Sequence, residues 1–528
     1  MNRIKNAMVN TFFGFCVRLY LAVFPFIMRT VMLHTIGIGY LGLNGLFASV
    51  LQILSISELG ISGAIVYSMY EPVAKGDKKT LCALLRLYRI VYGIIGLAVF
   101  LLGAAMLPIL PKLISSEVPP DINIYVLYIM YLVATALSYA VFSYRCSLLE
   151  AYQHNYVINR INLVTMTIQF SLQIVFLILF KNYYIYILTQ FSLQIVNQLA
   201  VYLAVRKRYP DLKPEGKIEK ELVKSIFHKV KGLFFGKISG IILNTSDTII
   251  ISMFLGLTVL AVYQNYYFII TAIVGFLSAI ITGSMAGIGN SLITETRETN
   301  YLGFRRLTFI MSWIVCVCTN CFLVLFQPFM KLWMGADKML PMSMVILFCL
   351  YFFVIEYDQL LNLYKDSAGL WHEDRFRPLV TSLINLSLNL LTVKFIGLYG
   401  IVASTVVSIL FVGIPWLLHN LSRYLFQRRI SDYLLELAGY TALTAASCCI
   451  SFFLARALSL EGLIALVVYG LTAVCVPTLL YLLIFGRSRF FRETLLLAKE
   501  LLSTRAHRGP QHNIPDTAPT AGDRPGKK

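Results

Sequence analysis

Long uninterrupted apolar runs constrain this chain more than any other feature. A helix needs roughly 20 apolar residues to cross the hydrocarbon core of a bilayer. Read with that ruler, the sequence predicts about 14 spans: 9–33, 41–68, 86–110, 122–144, 157–180, 183–205, 232–255, 258–285, 305–329, 341–364, 378–394, 396–419, 434–455 and 461–485. Soluble domains carry about 25% charged residues, whereas this chain has 13%, with 58% hydrophobic. The expected fold class is therefore all-α and polytopic. A secreted, nuclear or ordinary cytosolic protein is excluded.

The net charge of +19 is sorted by position. Odd-numbered loops hold Lys112, Lys181, Lys331, Lys338, Lys394 and Arg456, while the even-numbered loops and both termini hold most of the other basic residues. Basic loops stay on the cytoplasmic side, so both termini are expected there, in a multi-pass membrane protein. Nucleic acid is not needed to explain the charge. The densest basic cluster, 206–231, places Ile218, Leu222 and Ile226 at four-residue spacing and reads as an amphipathic helix at the inner surface. The tail lacks apolar periodicity from about 504 and reads as disordered.

The chain also repeats itself. Residues 12–15 read FFGF and 234–237 read FFGK. Ile36-Gly37-Ile38 before Leu41-Gly42-Leu43 parallels Leu255-Gly256-Leu257 before Leu260-Ala261-Val262. Tyr144-Arg145-x-Ser147 matches Tyr364-Lys365-x-Ser367, and Tyr156 then falls opposite Phe376. The expected organisation is an N-terminal six-helix lobe (1–205), a basic linker (206–231), a C-terminal six-helix lobe (232–419), two additional spans (420–485) and a cytoplasmic tail (486–528). Six spans per repeat insert both halves in the same sense, a transporter arrangement with a site between the halves.

Ionisable groups inside spans are costly and mark function. Arg18 and Glu58 both fall near mid-bilayer and are candidates for an ion pair. Arg29 lies near the outer end of the first span. Lys237 and Asp247 lie on the seventh, and Glu356 and Asp358 in the middle of the tenth. The polar run Asn244-Thr245-Ser246-Asp247 reads as the wall of a water-filled cavity. Arg18, Arg29 and Lys237 are the candidate substrate-binding residues, since arginine's planar fork and lysine's point charge suit phosphate or diphosphate. Glu58 and Asp247 are candidates for coupling or a cavity ion pair. No Gly-rich phosphate loop, HExxH or hydrolytic triad stands out. His372-Glu373-Asp374 has no second ligand cluster. An enzyme is not expected, nor a resident cofactor or metal. A proton or sodium ion is the natural coupling ion.

Three segments then carry a family likeness: 57–77 (SELGISGAIVYSMYEPVAKGD), 244–267 (NTSDTIIISMFLGLTVLAVYQNYY) and 369–408. They resemble the Wzx-type polysaccharide flippases of the multidrug/oligosaccharidyl-lipid/polysaccharide exporter superfamily, and the likeness runs through most of the first 420 residues. The resemblance implies a protein of the bacterial inner (cytoplasmic) membrane, with two lobes around a central cavity. It implies an undecaprenyl-diphosphate-linked oligosaccharide as substrate, moved to the outer leaflet by alternating access. Membrane lipids, a polysaccharide polymerase and glycosyltransferases of the same pathway would be partners. Alternatives are a lipid II flippase and a cation-coupled multidrug antiporter. A membrane glycosyltransferase or polymerase ranks below these, because the outer loops are short, and a pure scaffold ranks last, given the charges inside the spans.

Overall fold

The computed structural model describes residues 3–58, 61–140, 143–488 and 490–493. The expected disordered tail from about 504 lies outside the described residues. Helices dominate, and no strand occurs among the described residues. In chain order they are α1 (Arg3–Thr35), α2 (Ile38–Leu54), α3 (Ile61–Lys75), α4 (Lys78–Ala105), α5 (Ile124–Ala140), α6 (Cys146–Ala151), α7 (Asn155–Phe180), α8 (Tyr183–Arg208), α9 (Lys220–Leu255), α10 (Leu257–Thr294), α11 (Arg297–Met334), α12 (Met342–Ser367), α13 (Arg377–Ile396), α14 (Leu398–Ser408), α15 (Ile414–Asn420), α16 (Ile430–Leu458) and α17 (Gly462–Phe485). Two π-turns, Ile409–Gly413 and Leu421–Phe426, flank α15.

Among the described residues, 12 helices are long and apolar enough to cross a membrane. The chain is thus a multi-pass membrane protein. The expected count of fourteen is not reached, because the second and fourth expected spans fall on shorter helices. The second breaks at the 3-10 turn Ser55–Glu58, between α2 and α3. The fourth is the 17-residue α5.

Helix boundaries follow local chemistry. Asp77 caps α4 by accepting from the Thr80 amide at 3.0 Å, and Asn182 caps α8 by accepting from Tyr184 and Ile185. A side chain that satisfies an orphan first-turn amide fixes where a helix starts. Gly37 and Gly256 turn the chain between α1 and α2 and between α9 and α10. Their dihedrals nearly coincide, φ 107° and ψ 171° against φ 87° and ψ 172°. Positive φ makes glycine the residue of choice at both.

Helix pairings recur in the two halves. α1 packs on α7 as α9 packs on α13, α4 on α5 as α11 on α12, and α7 on α8 as α13 on α14. The last two helices, α16 and α17, pack against α11. Ion pairs Arg305–Glu436 and Arg306–Glu493 fasten them at one end, and Lys331–Glu461 at 2.9 Å fastens them at the other. Between these, Asn320 donates to Ser447 at 2.6 Å.

The 206–231 segment differs from expectation. It is not a separate surface helix: α8 runs to Arg208, a non-helical stretch follows, and the second half opens α9. Ile226 is buried, and Ile218 and Leu222 pack against the same core. The apolar stripe is spent on the protein's own interior.

Candidate functional site

The halves meet in a seam at the end that carries Gly37 and Gly256. Ser115 donates its amide and hydroxyl to the Ser252 carbonyl at 3.1 Å. The Ser252 hydroxyl donates to the Leu113 carbonyl at 2.7 Å, and the Leu257 amide donates to the Ser116 hydroxyl at 3.0 Å. Beside them α2 lies so close to the start of α10 that a Cβ on Gly42 would sit 2.3 Å from the Leu257 carbonyl oxygen. Small residues allow this approach, as in membrane helix packing generally.

Arg29 belongs to this seam. Its Nη1 donates to Asn265 Oδ1 at 2.8 Å, and its guanidinium lies over the Phe268 ring at 5.1 Å. Both partners are on α10. One residue on, Trp333 Nε1 of α11 donates to the Thr30 hydroxyl at 2.7 Å, and Phe26 stacks on the Trp333 ring. Arg29 therefore holds α1 against the second lobe.

Arg18 lies eleven residues before Arg29, three turns along the same face of α1. It is exposed, with no hydrogen-bond or ion-pair partner among the described residues. Lys237, on α9, is likewise exposed and without such a partner. These are the corresponding helices of the two repeats.

Arg18 and Glu58 are not brought together as a pair. Glu58 accepts from the Tyr92 hydroxyl, and Tyr139 hydrogen-bonds to it as well. Tyr88 packs its ring against Tyr92 with the centroids 4.4 Å apart and exchanges a hydrogen bond with Ser62 at 2.7 Å. The carboxyl is satisfied by hydroxyls within the first lobe, which removes its need for a cation.

Asp247 also departs from expectation. The run 244–247 is not a cavity wall: Thr245, Ser246 and Asp247 are buried, and only Asn244 is exposed. Asp247 Oδ1 accepts from Asn389 Nδ2 at 2.7 Å, with Thr405 and Tyr263 also in hydrogen-bond contact. Asn389 Nδ2 further reaches Asn385 Oδ1 at 3.3 Å, and Asn385 donates to Thr405 at 2.9 Å. The Asn389 Oδ1 atom is buried without a donor among the described residues. Four helices, α9, α10, α13 and α14, thus gather an oxygen-rich pocket able to hold a proton or a hard cation. Sequence reasoning missed Asn385, Asn389 and Thr405. Their signal was the i,i+4 asparagine spacing in an otherwise apolar span.

The tenth-span acids separate. Glu356 is 1% exposed, and neither carboxyl oxygen has a hydrogen-bond partner among the described residues. Asp358 lies 3.7 Å from Arg377. Arg377 is buried and forks onto Asp374, with Nε to Oδ1 at 2.7 Å and Nη2 to Oδ2 at 2.8 Å, and reaches Asn362 at 2.8 Å. Asn420 donates to the same Asp374 at 3.2 Å. Asp374 is thus the clamp of α12, α13 and α15 at the end opposite the seam.

A family model described as "Polysaccharide biosynthesis protein" matches residues 7–285. No curated protein matches the chain. Among solved structures, the lipid II flippase MurJ in an inward closed conformation is similar over 91% of this chain and 99% of its own, at 14% identity and TM-score 0.66. An inward-facing multidrug resistance MATE family transporter of the MOP superfamily is similar over 79% of this chain and 98% of its own, at 13% identity and TM-score 0.58. A mutant of the Vibrio cholerae MATE transporter VcmN gives 13% identity and TM-score 0.53, over 81% of this chain and 100% of its own. At such identities the likeness is one of fold.

Proposed function

We propose a function from one premise: the chain belongs to the polysaccharide biosynthesis protein family, and its task is to flip an undecaprenyl-diphosphate-linked oligosaccharide from the cytoplasmic to the outer leaflet of a bacterial inner membrane. Both termini lie on the cytoplasmic side, and a polymerase and glycosyltransferases of the same pathway act beside it. One observation carries the reading. The first helices of the two repeats each present an exposed cation, Arg18 and Lys237, with no ion-pair partner among the described residues, while the lobes are fastened at the seam end. Cations on both lobes suit a diphosphate between them.

The lobes rock about their contact, and bound diphosphate screens the repulsion between the two cations. The Asp247 pocket takes a proton or sodium ion during reset. No step calls for bond-making chemistry. The test is transport in reconstituted vesicles with a labelled lipid-linked oligosaccharide: label gains access to the opposite leaflet in the presence of the protein. An unaltered leaflet distribution with folded protein overturns the reading.

The lipid II reading is favoured by the near-complete coverage of this chain by MurJ. Competition between lipid II and the labelled oligosaccharide in the same vesicles separates the two. A cation-coupled drug antiporter would use the Asp247 pocket and leave Arg18 and Lys237 unexplained.

A further inference from the structure

The end of the first lobe opposite the seam contains a hollow of about 820 Å³, away from the helices that carry Arg18 and Lys237. It opens between α4, the 3-10 turn Ser143–Arg145, α8 and the segment after it. Four cations line it, Arg89, Arg145, Arg206 and Lys213, against the single carboxylate of Glu215. Basic loops alone would account for exposed lysines and arginines here. They do not account for Arg145, which is 8% exposed. Its guanidinium is held 4.4 Å over the Tyr202 ring, and its Nε reaches the Tyr144 hydroxyl at 3.2 Å. No ion pair to Arg145 occurs among the described residues. Buried cations are ordinarily paired.

The duplication sharpens this. Arg145 corresponds to Lys365, at an offset of 220 residues. Lys365 is also enclosed, but its lobe supplies the counter-charge: Asp366 lies at 2.7 Å and Asp374 at 3.7 Å. At the same offset the first lobe has Cys146 in place of Asp366 and His154 in place of Asp374. Both balancing carboxylates are missing from the copy that opens onto the hollow.

We infer that this hollow is a second anion site, taking a phosphate or diphosphate group on Arg145, Arg206, Arg89 and Lys213. Arginine forks favour phosphate oxygens, and Tyr202 keeps the buried fork oriented. The group belongs either to an anionic phospholipid headgroup or to a soluble phosphorylated molecule.

The test uses the full chain carrying Arg18→Ala and Lys237→Ala, so that its outcome is separate from that of the flippase reading. Sodium pyrophosphate is titrated calorimetrically into the protein in neutral detergent, then into protein in phosphatidylcholine vesicles with and without phosphatidylglycerol. Saturable binding is expected, weakened by at least about tenfold in Arg145→Gln. The double variant Arg206→Gln/Lys213→Gln, at exposed positions, gives the same loss if Arg145→Gln fails to fold. Lys217→Gln/Lys220→Gln leaves binding unchanged. Suppression of pyrophosphate binding by phosphatidylglycerol assigns the site to a headgroup, and persistence assigns it to a soluble phosphorylated ligand. If pyrophosphate binds equally well to parent and hollow variants, or if neither pyrophosphate nor phosphatidylglycerol binds, the site does not exist.

Discussion

Replacing Gly42 by alanine tests the seam with one carbon atom. The added Cβ would stand 2.3 Å from the Leu257 carbonyl oxygen, 3.0 Å from its carbonyl carbon and 3.1 Å from its Cα. All three are backbone atoms, so no rotamer change relieves the clash, and α2 and α10 must separate by about 1 Å to restore ordinary contact. Overpacking of this kind costs about 1–3 kcal/mol, which moves the equilibrium between fastened and parted lobes by roughly 5- to 150-fold. Alanine also raises the helix propensity of α2 by up to about 1 kcal/mol. A melting temperature would mix the two effects, so the readout must be geometric. Spin labels at positions 112 and 394 report on the seam end of each lobe. Non-canonical amino acids should place them, because the chain has 10 cysteines. Pulsed dipolar spectroscopy should show Gly42→Ala gaining a longer-distance population at the expense of the short one. Gly63→Ala is the control, since a Cβ there meets nothing within 4 Å. If the Gly42→Ala distribution superimposes on the parent, the seam is not a close backbone contact and the reasoning fails.

Further outcomes follow from the same structure. Arg18→Ala should abolish transport and leave the protein folded in the membrane; full transport would remove Arg18 from the substrate path. Asp247→Asn should flatten the sodium and pH dependence of transport, and an unchanged profile would exclude coupling there. Asp374→Asn leaves Arg377 buried beside a weaker partner and should cost up to about 3–5 kcal/mol, read from denaturant unfolding in detergent; a loss near zero would mean that Asp358 and Asn362 suffice. His154 is buried, and both burial and the neighbouring Arg208 hold its pKa below the usual 6.5. The unfolded chain then takes up the proton first, so stability falls as pH drops through that value. His154→Gln should remove this part of the acid sensitivity in a thermal melt; an identical pH slope would refute it.

Depth along a helix was legible in the sequence, and direction around it was not. Counting residues placed Arg18 and Glu58 at similar depth, but whether they meet depends on how α1, α2 and α4 are rotated in packing. The structure gives Glu58 to tyrosines that hydropathy counts as merely apolar. The run 244–247 showed the same limit. Its polarity marked a polar environment correctly, yet that environment is Asn389, Asn385 and Thr405 rather than water, because α13 and α14 come from 130 or more residues away. The repeat was visible through its glycine turns, where backbone sterics restrict the residue. Arg145 was visible only as a marker of that repeat, since nothing local announces that two carboxylates are missing opposite it. The amphipathic stripe of 218–226 was read correctly as a stripe, but periodicity cannot say whether lipid or protein covers it.

The paired helices α16 and α17 leave the two copies of the repeat in different company. On α4 the residues Ile90, Ile94, Leu97 and Leu101 are exposed. On α11, which corresponds to α4, the positions 220 residues later, Ile310, Ile314, Val317 and Cys321, are each only partly accessible. The bilayer thus grips the first lobe directly through α4 but handles the second partly through an attached bracket, which is riveted to α11 at both membrane faces. A change in bilayer thickness would press on one copy as loose hydrocarbon and on the other as a braced strut. A duplication that began with interchangeable halves has become a machine with a compliant side and a stiff side.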